Sequence, residues 1–389
     1  MTVPVRVPFV DMGRLHGPLR QELLAAFARV LDSGGYVQGA EVEAFEAEFG
    51  RQYGTSAAST GSAPAGFAGN APSSALAVNS GTAALHLVLE AFGVGAGDTV
   101  ITVANTFIAT AEAITLAGAT PVFADIEEDG FNIDPADAER RITPRSRAIL
   151  AVHLYGQVAD MGQLAEVCHR NNLLLIEDAC QAHGAVLDGR PAGTIGDAGC
   201  LSFYPTKNVG TIGEGGMVLT VDRRAAARVR SLRDHGQGHR HEHLVPGYNY
   251  RMPELQAAAL RVLAPHLEAW NEARARAAQW YEEGLAGLPV VPPAAPGGAE
   301  HVYHLYVIRA PERDALQAEL RAQGIQTAIH YPTPIHLQPA YLEFGGGPGS
   351  LPNTEAAVAE ILSLPFHPNI RRDEVDAVCE AILRFYRDR

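Results

Sequence analysis

ALAVNSGTAALHLVLEAFGVGAGDTVITVANTFIATAEAITLAGATPVFADI, residues 75–126, changes its hydrophobic period four times. ALAVN is a short apolar run of the length expected for a strand buried on both faces. From Ser80 onward, SGTAALHLVLEAFG spaces Leu85, Val88, Leu89 and Phe92 at helical intervals. TVITVA reads as strand again, a helix follows from about Phe107 to Ala117, and PVFADI closes the stretch as a third strand. Strands alternating with helices of this length predict a mostly parallel sheet covered on both faces.

The same texture runs outward from this stretch. AILAVHLYG, LLLIED, GCLSFY and GMVLTV read as further strands, and Asp160 opens a helix over MGQLAEVCHRN. Upstream, residues 20–50 form two amphipathic pieces joined by SGGYVQG. Downstream of GYNYRM, one or two long helices are kinked at Pro265, where the ring removes a backbone donor. HVYHLYVIRA is a strand, ERDALQAELRAQG a helix, and Glu374–Arg387 the last helix. The expected fold class is α/β, with a large, mostly parallel sheet domain over 1–255 and a smaller C-terminal α/β domain over 256–389. Residues 55–75, TSAASTGSAPAGFAGNAPSSA, carry almost no large apolar side chains and read as a surface insertion.

Composition narrows the function. The 389 residues are 47% hydrophobic, enough for a sizeable core, and the net charge is −14. That charge speaks against nucleic acid or an anionic membrane as principal partner, though one pocket can still hold a phosphorylated ligand. Cys168, Cys180, Cys200 and Cys379 form no C-x-x-C pair and read as reduced thiols. The first residues show no signal-type segment and no run long enough to span a bilayer, so the expected setting is cytoplasmic.

Three features fall at the C-terminal ends of predicted strands, where open parallel sheets bind ligands. In NSGTAAL, residues 79–85, small residues precede a helix start, and backbone N–H groups with the Ser80 and Thr82 hydroxyls could seat a phosphate. In IEDACQAHGA, residues 176–185, Glu177 or Asp178 follows a buried strand and needs a positive partner, such as a protonated heteroaromatic nitrogen. In SFYPTKN, residues 202–208, Lys207 stands alone in an uncharged neighbourhood, where desolvation favours its neutral, nucleophilic form. Phosphate seat, carboxylate and lysine, in that order, are the parts that hold pyridoxal 5'-phosphate. An aromatic side chain stacked on the ring completes the set, and Phe107 lies at another strand end.

VNSGTAALHL, TFIATAEAI, AVHLYGQVADM, IEDACQAHGA, SFYPTKNVGTIGEGG, GYNYRMPELQAAAL and HYPTPIHLQPAY together resemble the sugar aminotransferases of the DegT/DnrJ/EryC1/StrS family. The resemblance runs from about residue 5 to the C-terminus, and the 55–75 insertion departs from it. It implies an aspartate aminotransferase-like, fold type I homodimer with active sites at the subunit interface. By position, Lys207 would tether the cofactor, Asp178 pair with the pyridine nitrogen, Gln181 lie near the ring hydroxyl and Phe107 stack on the ring. Gly81, Thr82 and Ser202 would bind the phosphate, and Asn249 would reach the neighbouring subunit's phosphate. The implied reaction moves an amino group from L-glutamate to the keto carbon of a nucleotide-linked sugar. HYPTPIHLQPAY resembles enzymes that aminate C3 of 3-keto-6-deoxy sugars on dTDP, and makes His330, Tyr331 and His336 candidates for the substrate cleft. GYNYRM also occurs in relatives acting at C4, so a C4-aminotransferase is the alternative. Relatives with His in place of the lysine carry out dehydration, and Lys207 argues against that branch.

Other classes fit less well. A nucleotide-dependent oxidoreductase needs a glycine fingerprint after a strand, whereas GVGAGD, residues 93–98, follows a helix. A non-catalytic, cofactor-binding regulator would carry a DNA-binding module that the charge does not support. HGQGHRHEHL, residues 235–244, has four histidines but no carboxylate or cysteine completing a set at helical spacing, so no metal is expected.

Overall fold

The computed structural model describes residues 4–55, 74–293 and 301–389. Most of the 55–75 insertion lies outside the described residues. A seven-stranded sheet organises the chain: β1 (Ser74–Val78), β2 (Thr99–Val103), β3 (Thr120–Ala124), β4 (Ser146–Val152), β5 (Leu174–Asp178), β6 (Ala198–Ser202) and β7 (Gly216–Thr220). Their order across the sheet is β1-β7-β6-β5-β4-β2-β3. β2 pairs in parallel with β3 and β4, and the run β4-β5-β6 is parallel throughout. Only β7 runs against its neighbours, β1 and β6. Residues 203–215, which lead into β7, contain no crossover helix, so the chain returns beside β6 in the opposite sense.

Strand periodicity divides the apolar residues between the two faces. Leu76, Val100, Leu150, Ile176 and Val218 pack into one core with the helix Gly81–Ala91. Ala77, Ile101, Ala151, Leu175 and Met217 face the other, shared with the helices Ala40–Thr55, Met161–Asn171 and Glu254–Leu263. A separate core gathers Tyr281, Tyr306, Leu316, Phe366 and Ile382. It includes the antiparallel pair β8 (Tyr306–Arg309) and β9 (Ile361–Leu364) and the helices Leu267–Leu285 and Arg372–Arg387.

The expected kink at Pro265 is present as a 3-10 turn, Ala264–His266. Helices absent from the sequence reading include Pro135–Arg140, Arg223–Leu232 and Pro352–Glu360, and the strand β9 is likewise an addition. Val7 joins the separate core although it is far away in sequence, because its segment pairs with Ile325. Among the described residues, no helix is long and apolar enough to cross a membrane.

Candidate active site

β1 and β2–β6 all run in one direction, so their C-terminal ends lie along one edge of the sheet. A cavity of about 660 Å³ opens there. It is lined by Gly81, Thr82, Phe107, Asp178, Gln181, Ser202 and Lys207, and by His330 and Tyr331 from the region of the separate core. Segments from five strand ends and from residue 330 onward thus meet at one point.

One end of the cavity is a helix start. Ser80 caps the helix Gly81–Ala91: its Oγ accepts from the Ala83 N–H at 3.0 Å, and its carbonyl accepts from the Ala84 N–H. The first-turn N–H groups of Gly81 and Thr82 are not used by this cap, and both residues line the cavity. A Cβ at Gly81 would lie 2.7 Å from the Ser202 Cβ and 2.9 Å from the Cys180 Sγ. Only glycine lets this helix start press against the ends of β5 and β6.

Residue chemistry alone left Glu177 and Asp178 open, the resemblance chose Asp178, and strand alternation separates the two. Glu177 is fully buried on the far side. Its carboxylate accepts from the N–H groups of Gly193, Ile195 and Gly196 at 2.7, 2.6 and 2.7 Å. His153 Nε2 lies 2.9 Å away. The Ala159 N–H donates to His153 Nδ1, so Nε2 carries the proton and donates to Glu177. Asp178 faces the cavity and accepts from the Cys180 N–H and the Thr110 hydroxyl.

Lys207 follows a turn closed by its N–H on the Tyr204 carbonyl, and its side chain lines the cavity. Burial pushes its amine pKa down, while Cys180 and Asp178 oppose that shift. Three imidazoles share the surroundings. Burial, with a contribution from the Lys207 charge, lowers His183 to about 3, His330 to about 4 and His304 well below the usual value. The sign of the linkage follows. An unfolded histidine binds a proton near pH 6.5, whereas these folded ones refuse it, so stability falls as pH drops from about 6.5 toward 4. His183 alone accounts for ~3 kcal/mol by pH 4. Urea unfolding at pH 7 and pH 4.5 should show a clearly lower midpoint in acid, and His183→Gln should flatten the difference. Equal midpoints would contradict the burial of these rings.

Gln181 has a defined orientation. Its Oε1 accepts from the Tyr155 N–H at 2.8 Å, which turns Nε2 toward the Tyr331 hydroxyl at 3.5 Å. Tyr155 also donates its hydroxyl to the His330 carbonyl, and His330 Nδ1 sits 2.8 Å from the Ser363 Oγ. Phe107 meets Tyr331 at 5.6 Å between ring centres.

Two of the expected site residues lie outside the cavity lining. His336 is fully buried in a 3-10 turn, Ile335–Leu337, and its Nε2 pairs with Glu355 at 3.1 Å. This corrects the substrate-cleft expectation for His336: the turn directs its ring into the protein to hold the 349–355 loop. Asn249 is exposed, and its Oδ1 accepts from Arg251 at 2.9 and 3.1 Å. Phe9, Tyr204, Glu214 and His304 line the cavity without having been singled out in the sequence. Nothing local to Phe9 or His304 signals this; Glu214 sits in the glycine turn after Lys207 and could have been found there.

Fold and site together define an aminotransferase-type α/β enzyme. Residues 18–383 match the DegT/DnrJ/EryC1/StrS aminotransferase family, and the chain belongs to that family. It is 44% identical over 379 residues to a dTDP-3-amino-3,4,6-trideoxy-alpha-D-glucose transaminase of Streptomyces venezuelae, covering 97% of this chain and 95% of that one. It is 42% identical over 387 residues to a "pleiotropic regulatory protein" of Geobacillus stearothermophilus, covering 98% and 99%. Among solved structures, S. venezuelae DesV, in complex with ketimine intermediate, superposes with a TM-score of 0.92 at 42% identity over 100% of both chains. NtdA from Bacillus subtilis, with bound cofactor PMP, gives 0.89 at 30% identity, covering 99% of this chain and 86% of that one.

Proposed function

We propose that this chain is a pyridoxal phosphate-dependent aminotransferase that moves an amino group from L-glutamate to a nucleotide-linked 3-keto-6-deoxy sugar, on dTDP, to give a 3-amino sugar nucleotide. The observation that carries the reading is the meeting of Lys207, Asp178 and the start of the helix Gly81–Ala91 in one cavity. The relatives' names support the sugar class. When bound, the cofactor supplies an electron sink for proton removal at the carbon bearing nitrogen.

These residues fit that group. Gly81, Thr82 and Ser202 would hold the phosphate on backbone and hydroxyl donors at a helix N-terminus. Asp178 would pair with the ring nitrogen, Gln181 would lie near the ring hydroxyl and Phe107 would stack on the ring. Lys207 would tether the cofactor, and its amine would serve as the general acid and base. His330 and Tyr331 border the sugar.

We place the active form as a cytoplasmic homodimer in which Asn249 reaches the neighbouring phosphate. Phe107 and Tyr204 at the cavity stay 51% and 47% exposed. Tyr36, Val37 and Ile212, also exposed, flank the start of the helix Glu254–Leu263. Apolar surface of this kind calls for a second chain. We divide the chain into a large cofactor-binding unit, 1–255, and a small unit, 256–389, with the helix Glu254–Leu263 crossing that boundary and packing in the core of the large sheet.

The test is direct. Purified protein with pyridoxal phosphate should turn yellow, and glutamate should bleach that band. A panel of 3-keto and 4-keto sugar nucleotides, with NMR location of the new C–N bond, then distinguishes amination at C3 from C4. Colourless protein that takes up no pyridoxal phosphate would overturn the reading, and bound cofactor without turnover would favour a regulator. Asp178→Asn is expected to keep some cofactor yet lose about 10²–10⁴-fold in kcat, the usual weight of a positioned proton-handling group. Full activity in that variant would remove Asp178 from the site.

A further inference from the structure

Asp178 does not stand alone at the end of β5. The Thr110 hydroxyl donates to its Oδ2 at 2.8 Å, and the Cys180 N–H donates to its Oδ1 at 3.2 Å. Thr106 Oγ1 lies 3.1 Å from Thr110 Oγ1. Thr110 has one hydroxyl proton, and Asp178 takes it. Thr106 is therefore the donor in the second bond, and the chain runs Thr106 to Thr110 to Asp178. All three residues are buried, with Thr110 only 1% exposed. Thr110 sits between the buried Ala109 and Ala111 in the first turn of the helix Ala109–Leu116, where a buried hydroxyl is costly unless bonded. Its placement makes sense through the carboxylate it holds.

We propose that Thr110, backed by Thr106, is a positioning residue that fixes the Asp178 carboxylate so that its remaining lone pairs face the ring nitrogen of the cofactor. The inference rests on the pyridoxal phosphate reading above. With a donor on each oxygen, the carboxylate cannot turn about its Cβ–Cγ bond without breaking a bond in a buried site. A fixed acceptor keeps the nitrogen's proton in place when the Lys207 tether is released.

Two substitutions separate hydroxyl from methyl. Thr110→Val keeps the volume and loses the donor; Thr110→Ser keeps the donor and loses the methyl. Each holoenzyme is loaded with pyridoxal phosphate labelled with ¹⁵N in the ring. The nitrogen chemical shift reports its proton, and dialysis reports cofactor loss. Wild type and Thr110→Ser should share a protonated-type shift. Thr110→Val should move measurably toward the unprotonated value and lose cofactor about tenfold faster. Thr106→Val should move less, in the same direction, and carries the test if Thr110→Val does not fold. A Thr110→Val protein like wild type, a Thr110→Ser protein as altered as Thr110→Val, or an unmoved Thr106→Val where it stands in would overturn the proposal. Wild type that binds no cofactor would instead overturn the functional reading beneath it.

Discussion

Replacing Lys207 by alanine is expected to abolish the yellow band of the loaded protein and to lower kcat by at least ~10⁴-fold, since both covalent attachment and proton transfer depend on its amine. The neighbouring imidazoles are poor substitutes: burial lowers the pKa values of His183, His304 and His330, with the Lys207 charge adding to the shift. Burial also lowers the Lys207 amine itself, so less alkaline conditions suffice to free its lone pair than for an exposed lysine. Lys207→Arg, which keeps a charge but has no usable nucleophile, should be as inactive as the alanine variant. The measurement is turnover of glutamate with a keto sugar nucleotide, paired with the visible spectrum. Retention of more than about 1% of activity would rule out Lys207 as tether and proton carrier.

Glu177→Ala should have the largest effect on stability, a loss of ~3–5 kcal/mol, because it strands buried donors. The N–H groups of Gly193, Ile195 and Gly196 all end on this carboxylate, with His153 as a fourth donor. No water replaces it easily, since Glu177 and His153 are fully buried. His153→Ala should cost less, as it removes one donor and leaves three. The double variant should be less destabilised than the sum of the two, since the residues share a bond. Urea unfolding measures all three. A Glu177→Ala protein within about 1 kcal/mol of wild type would mean that the 193–196 loop finds other acceptors. This loss is separate from catalysis: Glu177 lies next to Asp178 in the chain but on the other face of β5.

Much of the fold was legible because its rules are local. A strand of five buried residues, a Ser or Asp cap and a helical stripe announce themselves within a few positions, as in ALAVNSGTAALHL. The candidate site was legible for a related reason. In a parallel sheet, whatever follows a strand lands on one common edge, so NSGT, IED and SFYPTK could be brought together before any distance was known. His336 and His330 lie in one motif, yet only His330 lines the cavity, because a single 3-10 turn rotates the His336 ring toward Glu355. Phe9 and His304 reach the same cavity from remote parts of the chain and carry no local pattern.

By itself, the sequence determined the alternation of strands and helices, the edge on which chemistry gathers, and the lysine and carboxylate that stand there. Only the tertiary structure decided where the neighbouring Glu177 turns, which way β7 runs, and that the Thr110 hydroxyl meets Asp178. Periodicity is a property of neighbouring residues. A hydrogen bond between residues 110 and 178 depends on how two distant elements meet, and that is set by packing of the whole core.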